Sequence, residues 1–306
     1  MRMTTTLPID ALHAVFGERL ETDALLAPFT SARIGGPADA LITAHSAEEL
    51  AKTVSRLWEM SVPFILLGGG SNLLVSDKGV RGVVVLNRAK AVQFTDEARP
   101  RVWAESGAVF SNLSNRVAAR GYTGLEWAAT VPGTVGGAVY GNAGAFGGDM
   151  AGSLRYADVL TRQGREQLTA AQMGYGYRTS VMKRGELEGV ILAAELRLDF
   201  GEKESVLARM REITEQRKST QPPGASMGSM FKNPEGNYAG RLLEEAGLKG
   251  AHIGNAVISP VHANFFVSNG ETNAADVKAL IDLAQETVKE KFGVQLELEI
   301  ELVGEW

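Results

Sequence analysis

Cysteine is absent from all 306 residues. That excludes disulfides, thiolate metal sites and a cysteine nucleophile, and it means that any redox chemistry must be borrowed from a cofactor. Histidine is scarce too: His13, His45, His252 and His262 are the full set, no two stand at ligand spacing, and no metal site is expected. There is no run of Lys and Arg, and the net charge is −5. Neither a nucleic acid nor an anionic membrane surface is therefore an expected partner, because both need a positive field. A local pocket for a small anion is still compatible with this balance. No apolar stretch follows Arg2 within Met1 to Asp10, so a secretory signal is not expected and a cytoplasmic location is the default. One uncharged window, Trp127 to Gly148, has the length of a bilayer span, but it holds Pro132 and seven glycines. So many weak helix formers read instead as a buried loop with close backbone approach.

The hydrophobic content of 44% and charged content of 22% are those of an ordinary globular chain, long enough for two or three compact units. Ser46 and Glu49 form a capping-box pattern opening an amphipathic segment through Leu57. The apolar run Pro63 to Leu67 and three glycines follow, which reads helix, strand, glycine loop. Val80 to Leu86 is β-branched and reads as a strand, and Phe110 to Arg120 has helical spacing that stops at Gly121. A charged helix from about Glu202 to Lys218 ends at Gln221-Pro222-Pro223-Gly224, which places a domain boundary near residue 202. Beyond it the spacing predicts a helix over Ala239 to Ala246, strands near Ala256 and Phe265, and a long helix from Ala274 to Phe292 behind the cap Asn273. From Val294 to Leu302 apolar and polar residues alternate strictly, as in a half-buried strand, with Glu297, Glu299 and Glu301 on the solvated face.

Two glycine arrays carry the first chemical signal. Gly68, Gly69, Gly70, Ser71 and Asn72 follow a strand, and Pro132 to Gly148 reads PGTVGGAVYGNAGAFGG. Glycines there let backbone N–H groups approach phosphates that side chains would exclude, and two such loops suit a ligand with two phosphates. Neither array reads GxGxxG, and no GxxxxGK[ST] occurs, so the common dinucleotide and P-loop solutions are not supported. Gly224 to Gly228 matches GxSxG, the nucleophile elbow of hydrolases. Pro222-Pro223, however, cannot supply the strand that an elbow requires before Ser226. The next string, GSMFKNP from Gly228 to Pro234, brings a hydroxyl, a cation and an amide together, although alone it reads first as a capping turn with Lys232 in solvent. YRTS, Tyr177 to Ser180, is by itself an ordinary surface pair of tyrosine and arginine.

In order, ARIGGPAD at Ala32 to Asp39, GGGSNLLV, the long glycine array, YRTS, GSMFKNP, AGRLLEEAGLKG, HANF and LELEI at Leu296 to Ile300 resemble the UDP-N-acetylenolpyruvoylglucosamine reductase family over nearly the whole chain. The resemblance implies an α+β fold: a vanillyl-alcohol-oxidase (PCMH)-type FAD-binding domain in two subdomains, 1–88 and 89–202, followed by a C-terminal α+β substrate-binding domain, 203–306. It implies non-covalent FAD held by Gly68, Gly69, Gly70, Ser71, Asn72, Pro132, Gly133, Thr134, Gly136, Gly137, Gly141, Asn142, Ala143 and Gly144. NADPH is the implied reductant and UDP-N-acetylglucosamine enolpyruvate the implied substrate. The implied state is a monomer, and the implied process is peptidoglycan precursor synthesis.

The chemistry follows from that substrate. Its double bond is conjugated to a carboxylate, so hydride from reduced flavin adds at the β-carbon and charge collects on the α-carbon and carboxylate. By position in the family motifs, Arg178 stabilises that charge, Glu299 is its acidic partner, and Ser229 gives the proton. Lys232 or an ordered water is the candidate relay to the serine. Met230 stands where an aromatic or aliphatic residue is more familiar, and Leu298 replaces a proline. The short stretch between Met182 and Glu202 is that of the form lacking an extra tyrosine-bearing substrate loop. Tyr177, Arg217, Lys218, Lys232 and Asn233 are then the candidates for the uridine diphosphate. Two other readings stay open at this point: an FAD-dependent oxidase of the same fold, and a flavin or nucleotide-sugar binding protein without turnover.

Overall fold

The computed structural model describes residues 7–95, 98–268 and 270–306. Residues 1–6, and with them the reading of the segment around Arg2, lie outside the described residues. Two compact units divide the chain, and neither is continuous in sequence. The first takes the chain up to Thr22, Asp39–Gly69 and Gly82–Glu215; the second takes Asp23–Ala38, Gly70–Arg81 and Gln216–Trp306. The break expected near residue 202 is found inside the helix Lys203–Thr220. Its cause is packing: Val206 and Met210 join Ala118 in a small cluster of the first unit, so the helix starts there although Pro222-Pro223 marks its end.

The first unit is built on two sheets. One has the order Leu20–Leu25, Pro37–Ala44, Val80–Asn87, Phe64–Leu67, the last two parallel. The other is antiparallel throughout, in the order Gly164–Thr169, Leu154–Thr161, Val190–Arg197, Arg101–Glu105, Val92–Thr95. The helix Ala47–Glu59 starts as its sequence dictates. Ser46 Oγ accepts the Glu49 N–H at 3.1 Å, while Glu49 reaches one residue further back and accepts the His45 N–H at 2.9 Å. Leu50, Val54 and Leu57 on its inner face share a core with Val83 and Val85. The window Trp127 to Gly148, expected to be a loop, contains the seven-residue helix Val135–Gly141. Thr134 caps it and its buried residues are Val135, Ala138 and Val139, so packing outweighs the poor helix propensity of three glycines. Among the described residues, no helix is long and apolar enough to cross a membrane.

In the second unit a four-stranded antiparallel sheet, Ser226–Ser229, Phe265–Ser268, Ala256–Ile258, His252–Ile253, shares a core with the long helix Ala274–Phe292. Asn273 Oδ1 accepts the Asp276 N–H at 2.7 Å, and Asp77 accepts the N–H groups of Ala274 and Ala275 at 2.7 and 2.9 Å. Three first-turn donors are thereby satisfied, and Gly293 ends the helix at φ 69°. Ala32, Ile34 and Leu74 enter this same core, which is why the compact unit reaches back beyond the C-terminal residues. The expected strand Val294 to Leu302 is mostly not one. Only Glu301–Val303 pairs in a ladder, with Leu73–Val75; upstream a single bridge joins Leu298 to Phe231. The alternation persists in part as burial, Leu296 and Ile300 inward and Glu297 outward.

Candidate active site

The two glycine arrays meet in the first unit. A Cβ added at Gly68 would lie 2.7 Å from Thr134 Oγ1, one at Gly69 would lie 3.0 Å from Gly133 Cα, and one at Gly136 would lie 2.8 Å from Ser106 Cβ. Gly68 and Gly69 thus let one loop rest on the other, and Gly136 lets the helix rest on Ser106. Gly137 and Gly141 differ. A Cβ at Gly137 would make only ordinary contact, and at Gly141 no protein atom would come within 4 Å. A helical glycine destabilises by roughly 0.5–1 kcal/mol relative to alanine, and the protein itself gives no steric reason for Gly141. A backbone face kept bare toward open space is what a closely approaching cofactor needs, so these residues fit FAD.

GGGSN is divided between the units: the chain leaves the first unit at Gly69 and enters the second at Gly70. Gly70 has φ 57° and packs on Phe29 and Thr30, and its carbonyl accepts the Ser31 N–H at 3.0 Å. Asn72 is committed to the protein as well, since its Nδ2 donates to the Glu299 carbonyl at 3.0 Å and its own carbonyl accepts the Glu301 N–H at 3.0 Å. Asn142, also expected at the cofactor, sits in the left-handed region as the C-cap of Val135–Gly141. It donates to the Gly176 carbonyl and accepts the Ala151 N–H, at 2.9 and 3.0 Å.

Those Asn142 bonds begin the support of Arg178. Gly176 and Thr179 exchange backbone hydrogen bonds at 3.2 and 3.3 Å around a two-residue turn, Tyr177-Arg178. Arg178 holds φ 57° there, a conformation that costs a non-glycine residue on the order of 1 kcal/mol and that surrounding structure must enforce. The enforcement comes from the end of the same glycine helix. Tyr175 donates from its hydroxyl to the Val139 carbonyl at 3.0 Å, and Ser180 to the Tyr140 carbonyl at 2.7 Å. Both acceptors lie in the last turn of the helix, where intrahelical donors run out. Burial, and secondarily the charge of Asp149, push the Tyr175 phenol well above its ordinary range, so it is a permanent donor at neutral pH. The Arg178 guanidinium lies 5.8 Å from the ring of Tyr177, which is 58% exposed. Neither Tyr175 nor the hydroxyl of Ser180 stood out in sequence, because their partners are backbone carbonyls 36 and 40 positions away.

Ser229 and Glu299 come together in the second unit. The Glu299 N–H donates to the Met230 carbonyl at 2.9 Å and the Lys232 N–H donates to the Glu297 carbonyl at 2.8 Å, clasping GSMFKNP to LELEI. Ser229 ends its strand after a register shift that contains Gly228 at φ 78°. Irregularities of this kind re-aim a side chain. Ser226 opens that strand instead of standing on a strand-to-helix turn, which removes the structural context of a hydrolase elbow. The two nearby glutamates also separate. Glu297 is 73% exposed and pairs with Lys232 Nζ at 3.2 Å, whereas Glu299 is partly buried. Lys232 is therefore an ion-pair member, not a solvated lysine. Asn233 accepts the Ala239 N–H at 3.0 Å and so helps start the helix Ala239–Glu245. Arg217 and Lys218 close the helix Lys203–Thr220, and burial pulls the Arg217 guanidinium below its ordinary value. Among the described residues no group of three His, Asp or Glu is arranged to hold a metal.

Comparison with known proteins adds independent findings. Residues 38–169 match the family model described as FAD binding domain, and residues 219–303 match that of UDP-N-acetylenolpyruvoylglucosamine reductase, C-terminal domain. The fold is accordingly a PCMH-type FAD-binding domain with a C-terminal α+β domain. The chain is 42% identical over 282 residues to the UDP-N-acetylenolpyruvoylglucosamine reductase of Chloroflexus aggregans, covering 90% of this chain and 94% of that one. With the protein of the same name from Anaeromyxobacter sp. strain K the identity is 43% over 294 residues, 95% and 88% of the two chains. The crystal structure of the reductase from Thermus caldophilus superposes with a TM-score of 0.79 at 36% identity, covering 93% of this chain and 99% of that one.

Proposed function

This chain belongs to the UDP-N-acetylenolpyruvoylglucosamine reductase family, and we propose from that membership that it reduces UDP-N-acetylglucosamine enolpyruvate to UDP-N-acetylmuramate with NADPH, serving peptidoglycan precursor synthesis. The observation that carries the reading is the clasp between GSMFKNP and LELEI, which sets Ser229 one residue from the carbonyl that Glu299 binds. Bound FAD would supply hydride transfer, taking two electrons from NADPH and delivering them to the β-carbon of the enolpyruvyl group. Gly68, Gly69, Pro132, Gly133, Thr134, Gly136, Gly137, Gly141, Ala143 and Gly144 are the residues that would hold it in the first unit.

The chain's own side chains have the remaining work. Once the β-carbon has gained hydride, negative charge lies on the α-carbon and the carboxylate. Arg178, pinned in one backbone conformation, would meet that charge without reorganising, which favours the transition state over the ground state. Ser229 would give its hydroxyl proton to the α-carbon, completing the C–H bond. The strong basicity of an enolate makes so weak an acid adequate when it is correctly placed. Lys232 lies three residues on and would return a proton to the serine. Glu299, less solvated than Glu297, would orient the groups around the carboxylate. Tyr177, Arg217, Lys218, Lys232 and Asn233 are the candidates for the uridine diphosphate, with Asn233 the weakest because its side-chain oxygen already serves a helix start.

The test uses the purified flavin-loaded protein without oxygen. NADPH should bleach the visible flavin bands, and the enolpyruvyl sugar nucleotide should restore them; Ser229→Ala should bleach normally and recover far more slowly. Absence of flavin, or recovery only when oxygen is admitted, overturns the proposal, and the second result would make the protein an oxidase.

A further inference from the structure

Asn264 lies in none of the groups assigned above, yet its hydrogen bonds converge on the segment that carries Ser229. It is 4% exposed and stands beside Ala263 and near Phe266, which enter the second unit's core. Its side-chain amide treats the Phe231 peptide as a strand would: Oδ1 accepts the Phe231 N–H at 2.9 Å and Nδ2 donates to the Phe231 carbonyl at 2.8 Å. Its own carbonyl accepts the Met230 N–H at 2.8 Å. Its N–H donates to His262 Nδ1 at 3.2 Å, so that nitrogen is the unprotonated one. Burial holds the His262 imidazole below its ordinary value against a backbone hydrogen bond that raises it, with Lys249 acting in the sense of burial and Glu244 against it, which favours the neutral ring.

Three backbone groups on one side of the Ser229 loop are thus held by one residue: the N–H of Met230 and both polar groups of Phe231. On the other side Glu299 and Glu297 hold the Met230 carbonyl and the Lys232 N–H. A loop peptide pairs with a side chain where a regular sheet would offer a second backbone, and a side chain can be deleted without deleting a strand.

We infer that Asn264 is a positioning residue for the reduction step, its side-chain amide fixing the Met230-Phe231 peptides so that Ser229 and Glu299 keep one mutual geometry. This rests on the proposed function, and it touches only the half-reaction that needs the serine proton. Asn264 bonds to none of the residues assigned to the cofactor.

Two variants test it. Asn264→Ala removes both amide bonds; reoxidation of reduced flavin by the enolpyruvyl substrate should slow by about 100-fold, the size of effect that a misplacement near 1 Å produces. Bleaching by NADPH should stay at the wild-type rate. Asn264→Asp is more discriminating. As a carboxylate it can accept from the Phe231 N–H, but its other oxygen then faces the Phe231 carbonyl as a second acceptor; as a carboxylic acid it can donate there and restore both bonds. Its reoxidation rate relative to wild type should therefore rise as pH falls, by about tenfold per unit until the buried carboxyl is protonated.

A readout independent of turnover comes from amide hydrogen exchange on the full-length protein, with and without flavin. The Phe231 amide should be protected in wild type and lose protection in Asn264→Ala. A pH-independent ratio for Asn264→Asp, a parallel loss of NADPH bleaching, or unchanged exchange at Phe231 each overturns the inference. If Asn264→Ala fails to hold flavin, Asn264→Asp at low pH decides alone, and failure there assigns the residue to folding instead. Wild-type protein that the substrate cannot reoxidise would sink the functional proposal while leaving the exchange result to judge Asn264.

Discussion

Replacing Gly141 with alanine should move the stability and the cofactor affinity of this protein in opposite directions. The residue closes the helix Val135–Gly141, where its backbone is helical, and a Cβ there would meet no protein atom within 4 Å. Without flavin, alanine is therefore the better residue. The helix-propensity gain is up to roughly 0.5–1 kcal/mol, and somewhat less at a terminal turn. At about 2–4 °C per kcal/mol for a unit of this size, the flavin-free midpoint should rise by about 1–4 °C. With FAD the added methyl occupies space that the bare backbone leaves to the ligand. Overpacking costs about 1–3 kcal/mol, which is a loss of about 5- to 150-fold in Kd. The assay is a pair of measurements on one preparation: thermal unfolding of protein stripped of flavin, and titration of that protein with FAD. Gly136→Ala is the contrast, since its Cβ would lie 2.8 Å from Ser106 Cβ and should destabilise the flavin-free protein. If Gly141→Ala binds FAD as tightly as wild type, no ligand atom approaches that backbone and the reasoning about the second glycine array fails.

Two further predictions concern residues that geometry separates from their neighbours. Glu299→Gln should cut reoxidation by about 10²–10³-fold, the scale of a lost transition-state contact. Glu297→Gln removes an exposed pair with Lys232 and should change stability by less than about 1 kcal/mol, with a correspondingly small change in rate; stopped-flow traces of the two variants side by side decide it. Tyr175→Phe removes the donor from the Val139 carbonyl and should cost about 1–3 kcal/mol in unfolding experiments. It should also alter the alkaline limb. The buried phenol keeps its proton above the unfolded value near 10, so the folded state binds more protons there and its contribution is lost as pH rises. Wild-type stability should therefore fall faster than that of the variant above about pH 10.

Much of the fold was legible in sequence because the signals were local. The helix Ala274–Phe292 matches its expected limits, since Asn273 and Gly293 are strong terminators that act through neighbouring peptides. The C-terminal segment departs from the expected strand for the opposite reason. Alternation reports which side chains face inward, and it did so for Leu296 and Ile300, but a ladder needs a partner in register, and Val294 to Leu298 pairs with another strand only through the isolated bridge of Leu298 to Phe231. The site divides in the same way. Glycine arrays announce themselves by composition, and the family motifs named Arg178, Ser229 and Glu299. What singles out Glu299 among three glutamates, or commits Asn72 and Asn142 to protein carbonyls, is a set of bonds that no local spacing encodes. The GGGSN string, read as one phosphate loop, passes from one unit into the other after two residues.

The order in which the chain is made follows from how it is divided. Ile34 and Leu74 leave the ribosome early, but the core that buries them is completed by residues 227–300. At about 5–20 residues per second, the strand Glu301–Val303 appears tens of seconds after Leu73–Val75, with which it pairs. The second unit thus completes its core later than the first, whose residues end at Glu215. Until residues near 300 emerge, its early segments are apolar surface on a nascent chain, within reach of chaperones and of other copies.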